Sequence, residues 1–84
     1  MSEKGFDTWL IEKKNLEKRS ASDVSSRWRR ANRILSSDGL DYAHYIFELE
    51  QIDSFCSLSI SVKSQIKRAI KFMYEYLEEV DKQI

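Results

Sequence analysis

Proline is absent from this 84-residue sequence, and glycine occurs only at Gly5 and Gly39. Because proline and glycine are the residues that most often interrupt helices, nothing in the composition prevents long helices. Hydrophobic residues make up 42% of the chain and charged residues 33%, which is typical of a folded globular protein rather than a disordered one. The composition predicts an all-α fold, a small bundle of four main helices, with residues 1–84 forming a single domain.

Cysteine and histidine occur once each, as Cys56 and His44. One ligand of each kind is too few for a zinc site, so no metal and no cofactor are expected. A lone cysteine forms no internal disulfide, which favours a reducing compartment. Neither a signal-peptide-like apolar run nor a stretch long enough to cross a membrane is present, and the prediction is a cytoplasmic protein that does not bind membranes.

The motifs of common catalytic sites are also missing. There is no GxSxG around a serine, no second histidine to act as a base, and no glycine-rich loop to hold a phosphate. A chain of this length buries only about 60 to 65% of its unfolded surface, which leaves little room for a deep substrate cavity. These absences predict a protein that is not an enzyme and has no small-molecule substrate.

Hydrophobic periodicity places the four helices at residues 6–14, 21–36, 42–53 and 62–80. In the first of them, Phe6, Trp9 and Leu10 fall at i, i+3 and i+4 and are predicted to share one apolar face. Ser20 is the predicted N-cap of the second helix and Asp41 that of the third, while Gly39 suits a left-handed position just after the second helix. Ser61 or Ser59 is expected to cap the fourth helix. The stretch "CSLSISV", residues 56–62, is predicted to be an extended lead-in to the fourth helix.

The second predicted helix separates its apolar and basic residues most clearly. Val24, Trp28, Ala31 and Leu35 recur at spacings of four, three and four residues, which confines them to one buried stripe. At about 100° per residue, the arginines of "SSRWRRANRIL" fall on the other side of the helix or on its flank. The pattern therefore predicts that Trp28 belongs to the core and that the arginines face solvent.

Charge is distributed in blocks, although 14 basic and 14 acidic residues cancel overall. Residues 13–33 and 62–71 are strongly basic, whereas residues 38–53 contain five acids and no lysine or arginine. One interpretation is that these basic residues only form the solvent-exposed side of two amphipathic helices. They can also form one continuous surface for the phosphates of a nucleic acid, which the scarcity of acids among them favours.

Two segments resemble the SAM-like core-binding domain of phage integrases and other tyrosine recombinases. "FDTWLIEKKNLEKRSASDVSSRWRRANRIL" is similar to its N-terminal half, and "SVKSQIKRAIKFMYEYL" to its last helix. The resemblance covers residues 6–80 and implies a small helical bundle that clamps double-stranded DNA with basic helices in the major groove. The catalytic residues of that family belong to a second domain, so the resemblance assigns no chemistry to Tyr74 or Tyr76.

Carried over by position, the resemblance implies a DNA-contacting set on the second and fourth predicted helices. These residues are Arg27, Arg29, Arg30, Arg33, Lys63, Lys67, Arg68 and Lys71. The predicted function is a non-catalytic DNA-binding domain that takes part in DNA recombination. The alternative is a protein-interaction or regulatory domain of phage or mobile-element origin that holds a protein partner with its acidic third helix and exposed aromatic residues.

Overall fold

In a computed structural model, the backbone is described for residues 3–82 and the side-chain environments for residues 5–80. Within these bounds the chain is all-α, with helices α1 (Glu3–Lys14), α2 (Lys18–Ile34), α3 (Tyr42–Leu49), α4 (Asp53–Cys56) and α5 (Ile60–Lys82). The prediction of an all-α fold is confirmed. The predicted domain bounds, 1–84, include residues 1, 2, 83 and 84, which lie outside the described part.

The core forms where α1, α2, α3 and α5 meet, and α2 packs most extensively against α5. The predicted α2 stripe is confirmed for Val24, Trp28 and Ala31, which are buried, while Leu35 packs at the edge of the core. From α5, the fully buried side chains are Ile66, Ala69 and Ile70, joined by Met73 and Tyr76. Phe6, Trp9 and Leu10 complete the core from α1, at the spacing that the sequence predicted.

The start of α2 differs from the prediction. The helix begins at Lys18, its N-cap is Glu17, and the expectation that Ser20 caps it is wrong. Asn15 takes a left-handed backbone conformation with φ of 56°, and the Leu16 N–H donates to the Leu10 carbonyl at 3.3 Å. This tight reversal ends α1 and lets α2 begin three residues earlier than its side-chain pattern indicates.

The region between α3 and α5 also departs from the prediction. The helix expected over residues 42–53 ends at Leu49, and a short helix, α4, follows it. The stretch expected to be extended, residues 56–62, is mostly helical, because α4 ends at Cys56 and α5 already begins at Ile60. A turn at residues 50 and 51 redirects the chain so that Phe55, on α4, is buried in the core with 1% of its surface exposed. Burial of this phenyl ring explains why the chain folds back rather than continuing straight.

Local capping follows the sequence more closely. The Asp41 carboxylate accepts a hydrogen bond of 2.8 Å from the His44 backbone N–H, which confirms it as the N-cap of α3. Ser59, rather than Ser61, caps α5 by accepting from the Val62 N–H at 3.2 Å. Gly39 has a φ of 75°, but it lies in the turn before α3 and not directly after α2, which ends at Ile34.

Candidate nucleic-acid interface

The arginines of α2 form an exposed surface on the side of the helix away from the core. Arg29, Arg30 and Arg33 are exposed, and Arg27 is half-buried on the flank. Among the side chains that the structure describes, Arg27, Arg30 and Arg33 have no ion pair with a carboxylate, and Arg29 donates a hydrogen bond of 3.2 Å to Ser26 Oγ. We call Arg29, Arg30 and Arg33 the α2 arginine surface.

A shallow depression of about 310 Å³ lies beside this surface and is lined by Trp28, Arg29, Asn32 and Arg33. Trp28 is 9% exposed, so only an edge of the indole reaches the depression. Arg29 and Arg33 are one helical turn apart and flank the same depression, because residues four apart lie on one face of a helix. The depression therefore combines a small apolar wall with two guanidinium groups and one amide.

The basic residues of α5 are in a different situation, because two of them have partners. Lys67 Nζ lies 2.9 Å from Glu50 Oε2, which ties α5 to the end of α3. The Arg68 guanidinium lies 5.1 Å from the centre of the Phe72 ring, within the range of a cation–π contact. Lys63 is half-buried and Lys71 is exposed. This helix therefore offers less unpaired positive charge than its sequence suggests.

On both α2 and α5, basic residues lie on the side of the helix away from its buried stripe. Trp28 of α2 and Ile66 of α5 belong to the buried stripes through which these helices pack on the core and on each other. At about 100° per residue, Arg30 and Arg33 point roughly 140 to 200° away from Trp28. On α5, Lys71 and Arg68 likewise point roughly 140 to 200° away from Ile66. Arg30 and Arg33 on α2, and Arg68 and Lys71 on α5, therefore each face away from the buried stripe of their own helix.

The acidic C-terminal half of α5 has partners on α1. Lys14 Nζ lies 3.0 Å from Glu75 Oε2, and Trp9 Nε1 donates a hydrogen bond of 2.6 Å to Glu79 Oε2. The Lys14 ammonium also lies 5.4 Å from the centre of the Trp9 ring. Acids near a helix C-terminus oppose the helix dipole. Here the contacts that hold α1 in place offset that cost.

The outer face of α3 carries the most exposed aromatic residue in the described part of the chain. Phe47 is 61% exposed and lines a second shallow depression with Ala43, His44 and Glu48. The backbone N–H of His44 donates to Asp41 and lowers the pKa of that carboxyl, and the imidazole Nδ1 lies 3.2 Å from the same oxygen. No group of three or more metal-binding side chains occurs among the described residues.

Two side chains at these surfaces were not singled out from the sequence. Asn32 lies between Arg29 and Arg33 in the chain and lines the same depression, and its position on that flank follows from the α2 spacing. Phe47 falls outside the apolar stripe of α3, which predicts that it faces outward. Neither residue belongs to a sequence motif, so only its position in the helical periodicity indicates that it faces outward.

Comparison with known protein families, with curated proteins and with solved structures finds no match to this chain. None of the helices in the described range has the length and apolar character needed to cross a bilayer.

Proposed function

We propose that this protein is a DNA-binding domain that contacts the phosphate backbone through the α2 arginine surface and performs no chemistry of its own. The observation that carries the proposal is that Arg30 and Arg33 are exposed on one face and have no carboxylate partner among the described side chains. Unpaired arginines attract polyanions strongly, since neutralising phosphates releases condensed counterions from DNA. The resemblance to recombinase core-binding domains supports the same function.

The depression beside this surface suits a phosphate group. Arg29 and Arg33 lie on the same side of the helix about 6 Å apart along its axis, and Asn32 lines the same depression. Guanidinium groups bind phosphate oxygens with two parallel hydrogen bonds, which fixes orientation as well as adding charge. A phosphate seated here would set the position of α2 on the duplex, while the neighbouring Arg30 would contact the next phosphate.

The residues predicted on α5 have a smaller part in this proposal. Of the three α5 lysines in the predicted set only Lys71 is exposed, whereas three of the four α2 arginines are exposed. Lys67 and Arg68 are also held by Glu50 and Phe72. We therefore assign the primary contacts to Arg29, Arg30 and Arg33, with Arg27 at the edge, and treat Lys63, Lys67, Arg68 and Lys71 as outside the main contact.

Fluorescence-anisotropy titration of a labelled duplex at several salt concentrations tests the proposal. With three to four phosphate contacts, the log of the binding constant should fall with log salt at a slope of about −3 to −4. Arg30→Glu and Arg33→Glu should weaken binding and flatten this slope. Lys71→Glu is the matched control, since it reverses one exposed charge on a different helix, and it should change affinity far less.

Two results would contradict the proposal. A folded sample that shows no affinity for duplex DNA at about 50 mM salt would exclude it, because non-specific phosphate attraction is already measurable under that condition. Equal losses from Lys71→Glu and Arg33→Glu would show that binding depends on net charge and not on the α2 arginine surface.

A second candidate function is a protein-interaction domain that uses the acidic third helix. The exposed Phe47 ring beside Glu48 favours it, since exposed aromatic side chains commonly act as anchors in protein interfaces. A chain with this function would bind its partner through Phe47 and would show no duplex affinity. Comparing Phe47→Ser with Arg33→Glu in the two binding assays separates these functions.

A further inference from the structure

The outer face of α3 presents an apolar group beside negative charge. Phe47 lies opposite the buried Tyr45 and Leu49, and 61% of it is exposed. Glu48, in the same depression, is exposed and forms no ion pair with a described residue. Asp53, close by in sequence, is likewise exposed and without an ion pair in the described part. A partner that binds this face needs an apolar recess for the Phe47 ring, bordered by positive charge.

The chain carries such a recess on α2. The depression there has the Trp28 indole edge as its apolar wall, and Arg29 and Arg33 border it. A phenyl ring entering it would meet the indole and lie beside a guanidinium, which is a favourable cation–π arrangement. The same kind of contact already exists within the chain between Arg68 and Phe72. The two surfaces thus match in both apolar character and charge.

We propose that a second copy of this chain docks here, with Phe47 of one copy in the α2 depression of the next and Glu48 facing Arg29 or Arg33. The formal net charge of zero supports this occupant, because copies of the chain do not repel one another. Since the Phe47 face and the α2 depression are different surfaces, the copies associate head-to-tail. An assembly of copies therefore keeps one unoccupied Phe47 face at one end and one unoccupied α2 depression at the other. The contact is small, so the dissociation constant should be weak, about 0.1 to 1 mM.

This inference goes beyond DNA binding and holds whether or not the chain binds DNA. If the proposed function is also correct, the two are linked, because a second copy and a duplex would occupy the same arginines. Self-association would then mask the DNA-binding surface, and added duplex would separate the copies.

Sedimentation velocity of the full chain without DNA tests the proposal, over a range from about 20 μM to 1 mM. The average mass of the wild-type protein should rise with concentration, and about 500 mM salt should reduce this rise because the contact includes charge pairs. Phe47→Ser removes the inserted group and Arg33→Glu alters the recess, so each variant alone should stay monomeric. Mixed in equal amounts, they should form dimers that grow no further, since Phe47→Ser keeps an intact recess and Arg33→Glu keeps an intact Phe47.

Ile60→Ser is the matched control, because Ile60 is 80% exposed but lies on α5 outside both surfaces. It should associate like the wild-type chain, and circular dichroism should show unchanged helix content in all variants. A wild-type chain that stays monomeric at about 1 mM would overturn the proposal. So would wild-type-like association of Phe47→Ser, or a mixture of the two variants that remains monomeric. Failure of DNA binding would leave each of these results unaffected.

Discussion

The Tyr74 hydroxyl of α5 donates a hydrogen bond of 2.8 Å to the backbone carbonyl of Leu40, in the segment between α2 and α3. Tyr45 of α3 makes a similar bond of 2.7 Å to the carbonyl of Leu35. The rings of both tyrosines contact Trp28, with centroids 6.5 Å and 6.1 Å away. The connecting segment is therefore attached at both ends by tyrosines, and the same rings join α2, α3 and α5.

We expect Tyr74→Phe to lower the free energy of unfolding by about 0.5 to 1.5 kcal/mol, the usual value of one intramolecular hydrogen bond. The substitution keeps the ring contacts and leaves the Leu40 carbonyl without its donor. Tyr42→Phe is the control, since Tyr42 also packs against Tyr74 but its hydroxyl has no hydrogen bond to another described residue. Urea denaturation measures both, and equal effects of the two changes would argue against the role of the Leu40 bond.

Stability should fall as the pH rises from 10 to about 12. Burial, with a smaller contribution from the nearby Tyr74, raises the pKa of Tyr45 to about 12 from its ordinary value of 10.0. Because the folded state holds this proton more tightly than the unfolded state, the stabilisation is fully present below pH 10 and is lost as the pH rises through the folded-state pKa. The pKa of Tyr74 is also raised, by burial first and by Asp41 second, and it acts in the same direction.

Urea midpoints at pH 8, 10 and 11.5 test this expectation. Tyr45→Phe should lose less stability over that range than the wild-type protein, because it lacks the group that titrates. Tyr42→Phe should follow the wild-type curve. The assignment to Tyr45 would be wrong if Tyr45→Phe lost stability as steeply as the wild-type chain.

Trp28→Ala should destabilise the fold by about 3 to 5 kcal/mol, as truncation of a buried aromatic side chain does. The indole is 9% exposed and contacts both Tyr45 and Tyr74, so its loss leaves a cavity where three helices meet. Trp28→Phe should cost less because it retains an aromatic ring. Denaturation followed by circular dichroism provides the comparison, and an unchanged midpoint for Trp28→Ala would contradict its place in the core.

Arg30→Ala and Arg33→Ala should leave the free energy of unfolding within about 0.5 kcal/mol of the wild-type value, since both side chains are exposed and form no ion pair with a described side chain. Ser25→Ala provides a contrast on the same helix. Ser25 is buried and donates a hydrogen bond to Asp7 of α1, so its loss should cost about 1 to 3 kcal/mol. A large destabilisation by Arg33→Ala would mean that this arginine supports the fold, and its effect on DNA binding would then need another explanation.

Much of α2 could be predicted from sequence because helical phase is a local property. A period of 3.6 residues places Val24, Trp28 and Ala31 on one side and Arg30 and Arg33 on the other, whatever the rest of the chain does. The Asp41 cap follows from a short-range bond to His44, and the positive φ of Gly39 from the absence of a side chain. The sequence also predicted the buried stripe of α1 correctly.

The relation between separate helices was decided by packing. The direction in which the basic side of α5 points relative to that of α2 depends on how the buried stripes of the two helices meet in the core. Packing also explains why the chain turns into α4, because Phe55 is buried in the core. It likewise explains the contacts of Glu75 and Glu79, whose partners Lys14 and Trp9 are far away in sequence. A one-dimensional pattern contains the phase of each helix, but the rotation of one helix against another is set by side-chain contacts between residues distant in the chain.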